Sequence, residues 1–229
     1  MKPFKKPRTK KSIAIVVLGR PGSGKGTQAA LIAKKLGLFH FETSDVIQEK
    51  FKKFPNDPEI KRAKEFFYGG KMTPTRLVTK WVIEKIKKIK TKRIIFDGSP
   101  RTLYEVKRFF PVLVNKYGTG NVKILNIKIS SQEAIWRNTR RKTCQKCDNP
   151  IPYTKQTKDL KICPRKGCGG KLITREDDKP EKAKKRLKVF MKETYPVIKF
   201  FKKKGSLIEI NGEQSIEEVF KDILKVLKN

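Results

Sequence analysis

The chain has 229 residues, a length that suits one three-layer α/β domain with insertions. Its 57 lysine and arginine residues outweigh 22 aspartate and glutamate residues and give a formal net charge of +35. No apolar run is long enough for a transmembrane helix or a secretory signal, so we expect a cytoplasmic protein and not a membrane or secreted one.

The positive charge has two interpretations. The lysines are spread along nearly every segment and do not form one block, which favours a lysine-rich surface that steers polyanionic nucleotides. The alternative is a surface with non-specific affinity for nucleic acid. The opening MKPFKKPRTKK lacks apolar periodicity, and residues 1–11 are predicted to be a disordered basic tail.

The first predicted strand leads into a glycine-rich loop. Residues 13–18, IAIVVL, are uncharged and mostly β-branched, as expected of a strand buried on both faces. After the loop comes a helical pattern that Gly37 closes. Between them, GRPGSGKGTQ at 19–28 contains G-x-x-x-x-G-K, and the usual hydroxyl residue comes one position late, at Thr27. Because such loops aim backbone N–H groups at phosphates, they predict a nucleoside triphosphate site at Gly22, Ser23, Gly24, Lys25, Gly26 and Thr27.

A second landmark, FDGSPRT at 96–102, follows a predicted strand at 93–96. Asp97, at the carboxyl end of that strand, would face the ligand crevice of an α/β sheet and orient Mg²⁺ through its waters, near Thr27. Lys25 would reach the outer phosphates, and Arg101 would grip a second phosphate. In the alternative interpretation Asp97 caps the next helix and Arg101 forms a surface ion pair.

Further strands are predicted at 122–129 and 207–210, each before a helical pattern. Alternating βα units favour a doubly wound, mostly parallel sheet. Arg137 and Arg141 are four residues apart on a predicted helix, hence on one face. Arg175 and Arg186 are eleven apart, about three turns if that stretch is helical. Four converging guanidiniums would suit a transition state whose charge spreads over phosphoryl oxygens.

All four cysteines lie in one stretch, as Cys144 and Cys147, then Cys163 and Cys168. Two such pairs in an intracellular chain predict a closed Cys₄ zinc site, which would be structural because it has no ligand position left for water. Disulfides are the alternative and are disfavoured in a reducing compartment. The segment has too little apolar content for a core of its own, so the metal would supply the missing stability.

Together these stretches resemble adenylate kinase, the nucleoside monophosphate kinase family, in its form with a zinc-bearing lid. The likeness covers nearly the whole chain after the tail and rests on GRPGSGKGTQ at 19–28, TSDVIQ at 43–48, GGKMTP at 69–74, DGSPRT at 97–102, RRKTC at 140–144 and CGGKLITREDDKPE at 168–181. It implies an α/β fold with a P-loop and a doubly wound parallel sheet of five strands flanked by helices. The implied core spans 12–42, 75–141 and 180–229, with a helical acceptor-nucleotide insertion at 43–74 and a zinc-ribbon-like lid at 142–179.

The resemblance also implies a reaction, in which a monomer moves the γ-phosphoryl group of Mg-ATP to a nucleoside monophosphate, foremost AMP. By position, the phosphates would be surrounded by Lys25, Arg101, Arg137, Arg141, Arg175 and Arg186. The acceptor would lie against Thr43, Gln48, Lys71, Thr73, Gly98, Arg101, Glu105, Arg175 and Arg186. Tyr153 would stack near the ATP base, and Asp177 and Asp178 would belong to the hinge region of the lid.

Three positions depart from the family, all on the acceptor side. Gln48 stands where the family has a phosphate-binding arginine, so that contact would be lost unless Arg76 or Lys52 supplies it. Ser99 replaces a phenylalanine. Glu105 replaces a glutamine that reads the adenine edge. Because an ionised carboxylate only accepts hydrogen bonds, it would match the two donors of guanine better than adenine. The hypotheses are therefore AMP, with Glu105 turned to solvent or paired with a lysine, or GMP or another non-adenine monophosphate.

A reading from another class is a nucleic-acid-binding P-loop ATPase with a zinc ribbon. RNA affinity that falls steeply with salt would support it. DGSPRT and TREDD, and the lack of any nucleic-acid motif outside the ribbon, weigh against it.

Overall fold

The computed structural model describes residues 11–69, 71–175 and 178–228. The predicted tail at 1–11, apart from Lys11, and Asp177 of the predicted hinge lie outside these residues. The strands, in chain order, are β1 (Ile13–Gly19), β2 (Phe39–Glu42), β3 (Arg93–Asp97), β4 (Val122–Lys128), β5 (Lys142–Cys144), β6 (Pro150–Ile151), β7 (Leu172–Ile173) and β8 (Leu207–Asn211). The helices are α1 (Lys25–Leu36), α2 (Thr43–Lys53), α3 (Pro58–Tyr68), α4 (Thr75–Lys88), α5 (Leu103–Tyr117), α6 (Ser131–Arg140), α7 (Pro180–Val189), α8 (Tyr195–Lys203) and α9 (Ile216–Lys228).

A five-stranded sheet with the order β2-β3-β1-β4-β8 forms the centre of the fold, and every neighbouring pair in it is parallel. This confirms the predicted doubly wound α/β class. Because the strands are parallel, their carboxyl ends share one edge of the sheet, where such folds bind ligands. The loops after β1 and β3 meet at that edge, since Val17 pairs with Asp97.

Side chains of β1 alternate between two cores, which explains its continuous apolar run. Ala14, Val16 and Leu18 join the core formed with α4, α5 and α8, whereas Ile15 and Val17 join the core formed with α1 and α9. The domain therefore has three layers, with helices on both faces of the sheet. Gly37 ends α1 in the left-handed conformation, with φ at 62°, as its place in the sequence predicted.

Two smaller units interrupt this core. Helices α2 and α3 follow β2, pack against each other and contact α4 through α2. Strands β5 to β7 form an antiparallel sheet with the order β6-β5-β7 between α6 and α7. Helices α7 and α8 are joined by a π-helical segment at Phe190–Thr194. Among the described helices, none combines the length and the apolar character needed to span a lipid bilayer.

Candidate active site

The loop between β1 and α1 is wound tightly enough to require glycine. A Cβ atom on Gly19 would lie 2.5 Å from the Ser23 hydroxyl oxygen and 2.8 Å from the Ile127 carbonyl oxygen, and one on Gly22 would lie 2.7 Å from the Asn138 side-chain nitrogen. Gly22 and Gly24 have φ near 84° and 83°, in the left-handed region. Gly24 is the N-cap of α1, so the unpaired N–H groups of the first helical turn lie beside the loop and favour an anion there.

Lys25 is the first residue of α1, and its surroundings lower the pKa of its ammonium group. Removal of water from around the ammonium lowers its pKa to about 8, and the cations Arg101, Arg186 and Arg141 lower it further, whereas Asp97 opposes them. Three arginines and one aspartate act on this ammonium, so its charged neighbours are positive in excess. The geometry therefore leaves a net positive region that an anionic ligand would neutralise.

Asp97 faces the loop from the end of β3. A Cβ atom on Gly26 would lie 2.9 Å from its Oδ2 atom, which explains why the residue after Lys25 is glycine. Its Oδ1 atom is buried and has no protein partner, so the helix-capping alternative for Asp97 lacks support. A carboxylate oxygen of this kind suits a water-coordinated divalent cation. Thr27, the predicted hydroxyl residue, lies two positions further along α1 and is partly buried.

Asp178 joins two of the predicted phosphate-binding arginines. Its side chain is completely buried, and its carboxylate accepts two hydrogen bonds from Arg141, at 2.6 and 2.7 Å, with Arg186 at 3.4 Å. The bidentate geometry fixes the plane of the Arg141 guanidinium. The sequence placed Asp178 only in the hinge region, because the contact spans 37 residues and follows no local spacing. The one indication in the sequence was that Asp178 is an acidic residue lying between Arg175 and Arg186.

The helical spacings predicted for the arginines are only partly right. Arg141 is the C-cap that follows the last residue of α6, and its backbone N–H donates to the Arg137 carbonyl oxygen at 3.1 Å, so the predicted four-residue spacing holds at the very end of the helix. Arg175 precedes α7 by several residues and is exposed, so no continuous three-turn helix connects it with Arg186. Tertiary structure, through Asp178, brings Arg141 and Arg186 together.

The acceptor side carries a chain of hydrogen bonds. The Thr43 hydroxyl donates to the Ser99 hydroxyl at 3.0 Å, and the Ser99 side chain is a polar neighbour of the Glu105 carboxylate. Glu105 also accepts the backbone N–H of Arg101 at 2.8 Å, while its own N–H is capped by Thr102. Glu105 is 4% exposed, so it neither turns to solvent nor pairs with a lysine through its Oε2 atom. Burial raises the pKa of its carboxyl, and the Arg101 N–H partly offsets that effect.

Arg101 itself is exposed, with its Nε atom bonded to the Gly98 carbonyl oxygen at 2.9 Å. Gly98 has φ near 95°, and a Cβ there would lie 3.2 Å from Thr43. The main cleft is bounded by Leu18, Lys25, Lys71, Ser99, Arg101 and Arg186. Thr73 is buried, whereas Gln48 lies exposed on α2. Its suggested substitutes are exposed too, Lys52 on α2 and Arg76 on α4.

The predicted ATP-base side is formed by α6 and the lid. Arg137 forms an ion pair with Glu133 at 2.6 Å. The ring of Tyr153 meets Trp136 edge-on, with centroids 5.7 Å apart, and the Arg140 guanidinium carbon lies 5.0 Å from the centroid of the same indole. Trp136 and Tyr153 are each 39% exposed. Trp136 is an aromatic neighbour that the sequence reasoning missed, because its distance from Tyr153 depends on how the lid folds back.

The four cysteines come together in the lid. Their sulfur atoms all lie within 4.8 Å of one another, with Cys144 and Cys168 3.6 Å apart and Cys147 and Cys163 3.8 Å apart. Sulfurs on a tetrahedral zinc ion with bonds of about 2.3 Å would lie about 3.8 Å apart. None of the four forms a disulfide. The donor set therefore fits a single tetrahedral metal ion.

Comparisons with known proteins agree with this geometry. The family model of adenylate kinase matches residues 17–206. The adenylate kinase of Caldicellulosiruptor saccharolyticus is 35% identical over 216 residues, covering 93% of this chain and 98% of the relative. That of Acetivibrio thermocellus is 36% identical over 220 residues, covering 93% and 97%. That of Elusimicrobium minutum is 34% identical over 215 residues, covering 93% and 97%.

A family model that covers most of the chain, relatives aligned along nearly their whole length and a P-loop facing clustered arginines all lead to one assignment. The protein belongs to the adenylate kinase family and is a nucleoside monophosphate kinase.

Proposed function

We propose that this protein transfers the γ-phosphoryl group of Mg-ATP to AMP and so forms two molecules of ADP. The observation that carries the proposal is the convergence of Lys25, Asp97, Arg101, Arg141 and Arg186 at the carboxyl edge of the parallel sheet. Family membership supports the reaction class. The zinc ion, the acceptor base and the role of each residue are part of this proposal.

The chemistry requires positioning and charge stabilisation more than proton transfer. The acceptor phosphate oxygen is already anionic near neutral pH, so no general base is needed. Lys25, Arg141 and Arg186 would stabilise the charge that spreads over the transferred group, and Arg101 would orient the acceptor phosphate. Magnesium, when bound with ATP, neutralises phosphate charge, and the unpaired Asp97 Oδ1 atom is suited to hold its waters. Closure of the lid would keep water from competing as the acceptor.

AMP is favoured over GMP by the bonds that Glu105 already makes. A carboxylate that reads guanine must offer both oxygens to N1–H and N2–H₂. In this protein the Oε2 atom of Glu105 accepts the Arg101 N–H instead, and the Ser99 side chain is a further polar neighbour of the carboxylate. Its carboxylate therefore stabilises the start of α5 and the loop carrying Arg101, and backbone groups are left to read the base.

The test of the proposal is a coupled phosphotransfer assay with Mg-ATP against AMP, GMP, CMP and UMP. We expect kcat/KM to be highest with AMP. A preference for GMP would show that Glu105 changes the acceptor on an otherwise conventional scaffold. Turnover of none of the four would contradict the proposed reaction and favour the alternative of an ATPase that RNA stimulates.

Replacing Glu105 by glutamine separates base reading from positioning. We expect the ratio of kcat/KM for AMP to that for GMP to stay within about twofold, or ~0.4 kcal/mol, because the Oε2 atom of Glu105 is already engaged by the Arg101 N–H. The same assay measures both rates, and the exposed Glu217→Gln variant on α9 serves as the control. A tenfold change in that ratio, on the order of 1.4 kcal/mol, would make Glu105 a base reader.

The lowered pKa of Lys25 predicts a pH dependence. The ammonium must be protonated to stabilise phosphate charge, so kcat/KM for ATP is expected to fall as pH rises through about 8 in the free enzyme. Bound phosphates raise the pKa of the ammonium, so kcat should fall at higher pH than kcat/KM. The profile is measured from about pH 6.5 to about pH 10. In a Lys25→Arg variant this decline should disappear, because guanidinium stays protonated there; a decline of equal size in both proteins would assign it to another group.

Zinc is the metal proposed for the four cysteines, which fit it by donor type and spacing. The lid strands have only two or three residues each, and their small core consists of Cys144, Ile151, Cys163 and Leu172. So few apolar groups cannot offset the entropy of ordering the segment. The ion would hold the lid in shape and take no part in the reaction.

Replacing Cys163 by serine is expected to remove most of the bound zinc and to unfold the lid. Zinc binding by such sites contributes about 10–16 kcal/mol in peptides, which is folding free energy when the apo segment is disordered. Elemental analysis measures the zinc content, and limited proteolysis measures exposure of residues 142–175. Wild-type protein stripped by a chelator and resupplied with zinc is the matched control. Wild-type protein that holds no zinc, or a variant as protease-resistant as wild type, would contradict the assignment.

A further inference from the structure

A second pocket lies beside the main cleft, on the α8 side of the sheet. It is bounded by Arg20, Asn126, Lys128, Lys199, Lys202 and Glu209, together with the ring of Phe190. Phe190 also borders the main cleft, so its ring separates the two spaces. None of the roles assigned above to the family's reaction uses the polar side chains of this second pocket.

Two buried polar atoms of opposite character lack partners in this pocket. Asn126 is 5% exposed, and its Oδ1 atom, an acceptor, has no hydrogen bond. The Nε atom of Arg20, a donor, is buried and equally unpaired. The other guanidinium nitrogens of Arg20 contact the Ile129 carbonyl oxygen and the Met191 sulfur. Leaving such groups buried and unpaired is unfavourable, so a ligand that offers both an acceptor and a donor would be stabilised here.

The charges around the pocket favour an anion. Arg20, Lys128, Lys199 and Lys202 are positive, and the Glu209 carboxylate, which pairs with Lys202 at 3.2 Å, is the negative group that borders it. Lys199 otherwise lies over the ring of Tyr195, at 5.1 Å. The balance is three positive charges in excess. A singly charged carboxylate would leave most of that charge unmatched, and it has no hydrogen to donate.

We propose that this second pocket binds a small phosphate-bearing anion. Its oxygens would accept from Arg20 Nε and from the lysine ammonium groups, and a P–O–H hydrogen or an adjoining hydroxyl would donate to Asn126 Oδ1. The backbone of Arg20 belongs to the phosphate loop, since its carbonyl oxygen accepts the Ser23 N–H at 3.0 Å. An anion in the second pocket therefore contacts the phosphate loop through the Arg20 side chain and leaves the main cleft open to nucleotides.

The experiment measures phosphate binding while the main cleft is filled. Full-length protein is saturated with a non-hydrolysable ATP analogue and AMP, and inorganic phosphate is titrated by calorimetry at constant ionic strength. We expect one saturable phosphate site in the millimolar range. A parallel titration with ribose 5-phosphate distinguishes the sources: tighter binding of the ester identifies a phosphate monoester, and equal or weaker binding identifies the free anion.

Two variants and one control localise the site. Asn126→Leu removes the buried amide, and Lys199→Gln removes a rim charge without changing the core; each should weaken phosphate binding at least fivefold. Lys221→Gln, on the exposed face of α9, should leave it within twofold. The absence of saturable binding in the filled wild-type enzyme would overturn the proposal, as would equal binding by wild type and Lys199→Gln. Phosphate bound at an acceptor site that AMP fails to fill would be unaffected by Lys199→Gln, so the comparison of wild type with that variant separates failure of this proposal from failure of the AMP assignment.

Discussion

Replacing Lys25 by methionine is expected to lower kcat by about 10³-fold or more, the range seen when a cation that contacts a transferred phosphoryl group is lost. That loss corresponds to about 4 kcal/mol of transition-state stabilisation. Methionine keeps most of the length of the side chain and removes only the charge. The ammonium has Arg101, Arg141 and Arg186 as neighbours. We do not expect these cations to replace it, because Arg101 is bonded to the Gly98 carbonyl oxygen and Arg141 to Asp178.

A matched control lies on the same helix. Lys34 is exposed near the end of α1, and Lys34→Met should retain wild-type kcat. The stability of Lys25→Met should equal or exceed that of wild type near neutral pH, because a desolvated charge has been removed. Steady-state kinetics and thermal unfolding test the two claims separately. A variant that kept a tenth of the wild-type kcat would show that Lys25 is not needed in the transition state.

The fold could be predicted from the sequence because its signals are local. The run from Ile13 to Leu18 is apolar at every position, as a strand covered on both faces requires, and the loop that follows needs glycine at fixed places. Gly26 is a further case: its lack of a Cβ makes room for Asp97, a contact that explains the displaced hydroxyl of Thr27. The cluster of four cysteines could be predicted for the same reason, because the spacing of the ligands within each pair is a local feature of the sequence.

The parts that could not be predicted depend on contacts between distant residues. Nothing near Arg141 in the sequence indicates that it bonds Asp178, and nothing near Tyr153 indicates Trp136 as its neighbour. The departure at Glu105 was visible, but its consequence was not. The Glu105 carboxylate accepts the backbone N–H of Arg101, four residues earlier, just before α5 begins. This contact depends on the direction of the side chain, which sequence spacing does not determine.

Replacing Asp178 by asparagine is expected to lower kcat/KM by about 100-fold, the cost of displacing reacting groups by roughly 1 Å. The carboxylate holds Arg141 through two hydrogen bonds and attracts Arg186, and an amide can accept only through its single oxygen. Its NH₂ group would face one guanidinium, donor against donor. The two arginines would then separate by repulsion, and the site would lose the arrangement that the transferred phosphoryl group needs.

The loss should appear chiefly in kcat, because arginines that have moved apart can still attract phosphates in the ground state but no longer match the charge of the transition state. Asp159→Asn is the control, since Asp159 is an exposed acid of the same lid and its ion pair with Lys158 is long at 3.9 Å. Removing one partner of a buried ion pair costs about 3–5 kcal/mol when the remaining charge stays buried; Arg141 and Arg186 are partly exposed, so stability should fall by less. A large fall in stability with kcat unchanged would make Asp178 a structural residue only. A fall in kcat with stability nearly intact would establish that its carboxylate serves the reaction by positioning both arginines.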